Sequence, residues 1–150
     1  MTLPRAVPAE MERRAVVTAF LRHDGRILLL RRSDRVGSYR GRWAGVSGFL
    51  EDPTALAQAL REIREETGLP ADRLRLARAG APLEVLDRKL EVCWIVHPFL
   101  FDLDDASGLR LDWEHVESCW VRPEEVKSFE TVPALAEALS ACLEVGETDG

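Results

Sequence analysis

Between residues 53 and 67 the spacing of apolar side chains changes period. Leu56, Ala59, Leu60 and Ile63 recur at i, i+3, i+4 and i+7, the stripe of an amphipathic helix. The stretches around it, "RAVVTAFLRH" (14–23) and "RILLLRR" (26–32), are β-branched or aliphatic runs. A chain that passes from strands into a one-sided helix and back must lay that helix on a sheet. Asp24-Gly25 between the first two runs predicts a tight hairpin and antiparallel pairing. "WAGVSGFL" (43–50) reads as a short strand with glycines where backbone passes closely. The helix over 53–67 is bounded by Asp52 and Pro53 at the N-cap and first helical position, and by Gly68 with Pro70 beyond it. Residues 74–80, 83–87, 90–103 and 116–121 predict further strands, 90–103 being the most apolar and central. "PEEVKSF" predicts a short helix and "TVPALAEALSACLEV" a C-terminal amphipathic one. The expected architecture is α/β, a mixed sheet between helices, in one domain over residues 1–150 with a core from about 12 to 145.

Composition narrows the function. The net charge is −6, which disfavours long nucleic acid as a ligand because its binders present basic surfaces to phosphate. The charge is uneven, however. Residues 1–50 hold ten arginines against four acidic residues (+6), and the remaining hundred hold ten basic and 22 acidic residues (−12). An arginine-rich first third ahead of an acidic helix suits a phosphate ester with its metal ions. No apolar run reaches the roughly 20 residues of a membrane span and the start lacks the apolar core of a secretory signal, so a cytoplasmic protein is expected. The three cysteines, Cys93, Cys119 and Cys142, have neither zinc-site spacing nor even number and read as free thiols.

"LREIREETGL" (60–69) raises the chemical question. On a helix, Glu62 and Glu66 share a face and Glu65 stands beside them. Carboxylates brought together repel unless something positive lies among them, and the C-terminal end of a helix disfavours acidic side chains further. Mg²⁺ or Mn²⁺ would relieve both penalties, since hard cations take carboxylate oxygens and complete their shells with water and phosphate. Arg61 is placed to pair with Glu65 one turn on. The alternative is an ordinary solvated charged face.

These residues also resemble a family motif. "REIREETGL" (61–69) is similar to the second half of the Nudix box, G-x5-E-x7-R-E-U-x-E-E-x-G-U with U aliphatic; Arg61, Glu62, Ile63, Glu65, Glu66, Gly68 and Leu69 match. The likeness extends from the hairpin at residue 14 to "WEHVESCWVRPEEV". The first half departs: strict spacing places the opening glycine on Ser47 and the isolated glutamate on Pro53. A one-residue deletion would put the glycine at Gly48, with Glu51 standing for the glutamate. The resemblance implies a Nudix-type α/β/α sandwich and Mg²⁺- or Mn²⁺-dependent hydrolysis of the pyrophosphate linkage in a nucleoside diphosphate attached to another moiety. Glu62, Glu65 and Glu66 would be the metal ligands, and ADP-ribose or a similar nucleotide sugar the favoured substrate. The alternative is a catalytically weak Nudix-like module that binds or senses a nucleotide.

A base must take the proton of the attacking water. A box carboxylate such as Glu65 could serve, or Glu114 or Glu117 from the later "WEHVESCW" segment; Arg61 is assigned to orientation within the site. The loop 33–43 offers Arg40 and Arg42 for phosphate and Tyr39 and Trp43 for stacking on base or ribose. Trp94, in an apolar strand, reads as core; Trp113 and Trp120 are ambiguous. His23 and His97 read as structural, while His115 lies near the candidate base. A homodimer is possible, with the C-terminal amphipathic helix contributing to it.

Overall fold

The computed structural model describes residues 11–143. Strand β1 (Glu12–His23) and β2 (Arg26–Arg32) form the expected antiparallel hairpin. Asp24 (φ 50°) and Gly25 (φ 75°) both occupy the left-handed region between them, the backbone that a two-residue hairpin turn requires. The 43–50 run splits at Gly45 into β3 (Trp43–Ala44), paired to β2, and β4 (Val46–Phe49), paired to β1. After helix α1 (Ala55–Thr67) come β5 (Arg75–Ala79), β6 (Leu83–Asp87), β7 (Val92–Asp102), β8 (His115–Val121) and helix α2 (Leu135–Ser140). β1 and β7 run parallel along Glu12–Arg22 and Val92–Asp102, and the remaining strand pairs are antiparallel. The result is the expected mixed sheet, with eight strands instead of seven because the 43–50 run divides.

Period-two alternation assigns each strand residue to one of two cores. Val17, Ala19 and Leu21 of β1 join Phe99 and Phe101 of β7 against Ala59 and Ile63 of α1. Phe20, Leu29 and Leu100 point the opposite way, against Leu135, Ala138 and Leu139 of α2. Helices therefore cover both faces, and the apolar side of α2 is spent on its own sheet. Among the described residues no helix is long and apolar enough to cross a membrane.

Both helix boundaries of α1 follow local chemistry, with one correction. Thr54, not Asp52, is the N-cap: it is extended (φ −131°, ψ 153°) and its hydroxyl accepts from the Ala57 amide. Asp52 is instead drawn into an ion pair with Arg61. Gly68 ends the helix at φ 79°, its amide donating to the Arg64 carbonyl, a left-handed cap that suits glycine. Helix α2 is shorter than its amphipathic pattern: it begins after Ala134 with no side-chain cap, and tight turns at Cys142 and Leu143 close it. The predicted end at Val145 lies outside the described residues. "PEEVKSF" forms a 3-10 turn over Pro123–Ser128.

Candidate active site

A cleft of about 710 Å³ opens on the α2 side of the sheet beside β4. Its wall includes Val16, Thr18, Phe49 and Trp94 from the strands, with Glu62 and Glu65 of α1 at one end. Phe49 and Ser47 pair opposite Val16 and Thr18, so their side chains share the cleft face, while Gly48 between them turns toward α1. A Cβ at Gly48 would lie 2.3 Å from the Glu62 carboxyl carbon. The absent side chain is thus the space that the Glu62 carboxyl occupies, and it is what brings a helix residue to the cleft.

The glutamates of α1 separate into a pair and a neighbour. Glu66 is buried, 2% exposed. Its Oε1 receives the Ser47 amide at 3.4 Å and lies 3.7 Å from His115 Nε2. Its Oε2 is buried with no hydrogen-bond partner. Burial, then the adjacent Glu62, pushes the Glu66 carboxyl well above the usual carboxylate range. Glu62 is raised as well, first by burial, although Gln58 Nε2 donates to its Oε1 at 3.0 Å. Gln58 is itself held, because its Oε1 accepts the Glu51 and Asp52 amides at 2.8 Å each. Glu65, about 100° around the helix from Glu66, is exposed and flanks the pair from the cleft side. Among the described residues no three His, Cys, Asp or Glu side chains converge on one point; the expected triple convergence is a pair with a third carboxylate alongside. An orphaned oxygen in a buried carboxyl and a glycine that admits the second carboxyl fit a hard divalent cation, because an unpaired buried polar atom is costly unless a ligand satisfies it.

Two expected partnerships are different in the structure. Arg61 does not reach along the helix to Glu65; its Nε lies 3.2 Å from Asp52 Oδ2, a carboxylate presented by the loop that enters the helix. Glu117 stands apart from the carboxylate pair, across the β2–β8 ladder, with its Oε1 3.1 Å from Arg31 Nη1. Glu114 does line the cleft, and burial followed by the charge of Asp112 raises its pKa. His115 is buried and bridges Asp112 Oδ1, at 2.8 Å from its Nδ1, to Glu66; it braces the pair from behind and lies off the cleft wall.

The cationic and aromatic expectations are redistributed. Arg40 Nε donates to the Val36 carbonyl at 2.8 Å, and neither Arg40 nor Arg42 lines the cleft. Arg32 does: it is half-buried, its Nε donates to the Ser38 carbonyl at 3.0 Å, and it feels the charges of Glu114 and Glu66. Nothing in "RR" singles out either arginine for the site; as successive strand residues they point to opposite faces, Arg31 toward Glu117 and Arg32 to the cleft. Trp43 packs edge-on against Phe129 at 5.4 Å, a structural contact. Tyr39 lines the cleft and so does Trp94, which was expected in the core. Trp94 and Phe49 lie 6.2 Å apart between ring centres. Gln58, Arg32 and Trp94 were missed because an interior glutamine, a paired arginine and an apolar-strand tryptophan each have an ordinary local reading.

Comparison with known proteins agrees with this geometry. The NUDIX domain pattern matches residues 11–142. The chain is 32% identical over 120 residues to the CTP pyrophosphohydrolase of Escherichia coli (strain K12), covering 79% of this chain and 83% of that protein. Among solved structures, the MutT protein of Methanosarcina mazei Go1 superposes with a TM-score of 0.70 at 26% identity, covering 87% and 93% of the two chains. The E. coli ORF135 protein does so with a TM-score of 0.64 at 27% identity, covering 87% and 89%. The chain belongs to the Nudix family. Its class is that of the Nudix hydrolases.

Proposed function

We propose that the protein hydrolyses a pyrophosphate bond of a nucleoside triphosphate, using Mg²⁺ or Mn²⁺ held by Glu62 and Glu66 with Glu65 alongside. The observation that carries this reading is the buried, unpartnered Oε2 of Glu66 set against a second carboxyl at a cleft. The E. coli relative, named for CTP, supports a nucleoside triphosphate over the ADP-ribose favoured from sequence, and ADP-ribose remains the comparison substrate.

A bound divalent cation would neutralise the diphosphate and acidify a water. The chain's own residues do the rest. Gln58 and the Ser47 amide orient the two inner carboxyls. Arg32, on the cleft wall and within the field of Glu66 and Glu114, meets a phosphate oxygen. Trp94, on the cleft wall, offers an aromatic surface to the base. Glu65 or Glu114 takes the proton of the attacking water; both line the cleft, whereas the pairing of Glu117 with Arg31 argues against Glu117 as the base.

The test is release of phosphate, pyrophosphate or nucleoside monophosphate from a panel containing CTP, other nucleoside triphosphates and ADP-ribose, with and without Mg²⁺ or Mn²⁺. Wild type turns over a triphosphate in a metal-dependent way, and Glu65→Gln or Glu114→Gln, whichever is the base, loses about 10²–10⁴-fold in kcat. Binding without turnover by wild type would favour the nucleotide-sensing module instead.

A further inference from the structure

The loop between β2 and β3 touches the far wall of the cleft through one side chain. The Tyr39 hydroxyl donates to Asp87 Oδ2, at the end of β6, and accepts from Trp94 Nε1 of β7 at 3.0 Å. These partners are 48 and 55 residues away in sequence. Asp87 is fixed in turn, its Oδ1 accepting the Leu90 amide at 3.0 Å. Tyr39 also has a left-handed backbone, φ 51°, which is strained for an aromatic residue and which Gly or Asn would adopt more readily. Strain retained at a cleft residue points to a use for its side chain. That use is to hold the indole: Trp94 lines the cleft beside Phe49, their rings tilted by 37° with centres 6.2 Å apart, and its ring nitrogen donates to the Tyr39 oxygen.

We infer that Tyr39 is a positioning residue for nucleobase recognition: bridging Asp87 and Trp94, it holds the indole in the plane against which the base of the substrate packs. The inference rests on the nucleotide-hydrolase reading for the identity of the ligand, and it assigns Tyr39 no part in bond cleavage. An indole anchored at its nitrogen cannot rotate about its own side-chain bonds to fill the cleft, so the ordering entropy of the aromatic wall is lost in folding rather than on binding. The stacking surface is therefore preset for a planar ring and indifferent to the phosphates at the glutamate end.

The experiment compares Kd for cytidine and adenosine monophosphate with that for ribose 5-phosphate, which lacks a base, in wild type, Tyr39→Phe, Asp87→Ala and the double variant; thermal melts verify folding. Tyr39→Phe keeps the ring and removes both hydrogen bonds. It should raise Kd for the nucleotides roughly five- to tenfold, leave ribose 5-phosphate within about twofold, and have a smaller effect once Asp87 is Ala, because one of the two bonds it removes is already gone. With the best triphosphate, KM should rise in parallel and kcat stay within about twofold. Unchanged nucleotide Kd, no measurable nucleotide binding by wild type, equal losses for ribose 5-phosphate, or a fall in kcat at constant KM would each overturn it. Base-dependent binding that responds to Tyr39→Phe in a protein without turnover would remove the hydrolase and keep the bridge. Turnover with KM indifferent to Tyr39→Phe would do the reverse.

Discussion

At the scale of single residues, the site is built from groups whose burial is costly. Glu66 combines near-complete burial, an unsatisfied oxygen and a carboxyl neighbour, so neutralising it should stabilise the fold while disabling the site. Glu66→Gln is expected to raise stability in the absence of divalent cation by about 1 kcal/mol, or roughly 2–4 °C in Tm, and to lose metal-dependent turnover. Calorimetric melts and the same activity assay check both halves; a lower Tm with full activity would sink the assignment. Tyr39 offers an independent probe because it is the one tyrosine in the chain. Burial first, then its bond to Asp87, pushes its phenol up to about 12. The folded state thus holds the proton more tightly than the unfolded chain, whose phenol ionises near 10. The associated stability is complete below about pH 10 and is lost as pH rises from there toward 12. Absorbance at the tyrosinate band should titrate near pH 12 in the native protein, and a midpoint near 10 before unfolding would contradict the buried bridge.

At the scale of elements, α1 and β4 work as a unit. The helix is anchored to the sheet by Ala59 and Ile63, both fully buried, and started by Thr54, so the heights of its glutamates above the sheet are set by packing. β4 then has to pass the Glu62 carboxyl with no side chain between. Gly48→Ala places a Cβ at 2.3 Å from that carboxyl carbon, which forces Glu62 or the strand to move. Because β4 is short and pairs only with β1, the strand can yield at a cost of roughly 1–3 kcal/mol. The larger effect falls on function: turnover should drop by at least about tenfold, by the sensitivity of catalysis to small misplacements. Wild-type kcat and KM in Gly48→Ala would show that the close approach has no functional meaning. Here the shifted alignment of the box, with its opening glycine at Gly48, has a physical basis that counting residues lacks, since the glycine is required by the contact and not by its backbone angle.

At the scale of the whole molecule, the cleft exists because distant segments meet over one face of a sheet: β1 and β7 pair in parallel along eleven positions, Glu12–Arg22 with Val92–Asp102, and the loops at 33–42 and 104–114 close over its carboxylate end. The Ser33 amide donates to the Glu114 carbonyl at 2.7 Å, and Arg35 lies 5.7 Å over the Trp113 ring. A cation held by the α1 carboxylates would relieve the burial of Glu66 and should stabilise the folded state. At a hundredfold excess over its Kd, Mg²⁺ is expected to add about 2.7 kcal/mol, visible as a Tm increase that EDTA reverses and Glu66→Gln abolishes. An identical Tm with and without Mg²⁺ across millimolar concentrations would remove the metal from the folded-state picture.

The sequence by itself determined the elements and the chemistry of one of them. The Asp24-Gly25 hairpin, the strands on either side, the apolar stripe of α1 with its Gly68 end, and the glutamates of "REIREE" are all local patterns, since hydrophobic period and turn chemistry act over a few residues. Thr54 could have been read as the cap from the same rules; Asp52 competed because its partner, Arg61, lies on the helix it precedes. What only the tertiary structure decided is which faces meet. Helical spacing offers three glutamates equally, and packing against Ser47, Gly48 and His115 makes Glu66 the buried carboxyl and Glu62 its half-buried neighbour. Ten arginines precede residue 50, and it is the assembled sheet that puts Arg14 and Arg32 on the cleft wall. The course of the β2–β3 loop brings Tyr39 to Asp87 and Trp94 and makes a strand tryptophan part of a cleft wall. Contacts between residues far apart in sequence leave no period to read, and they are satisfied only when the whole sheet is assembled.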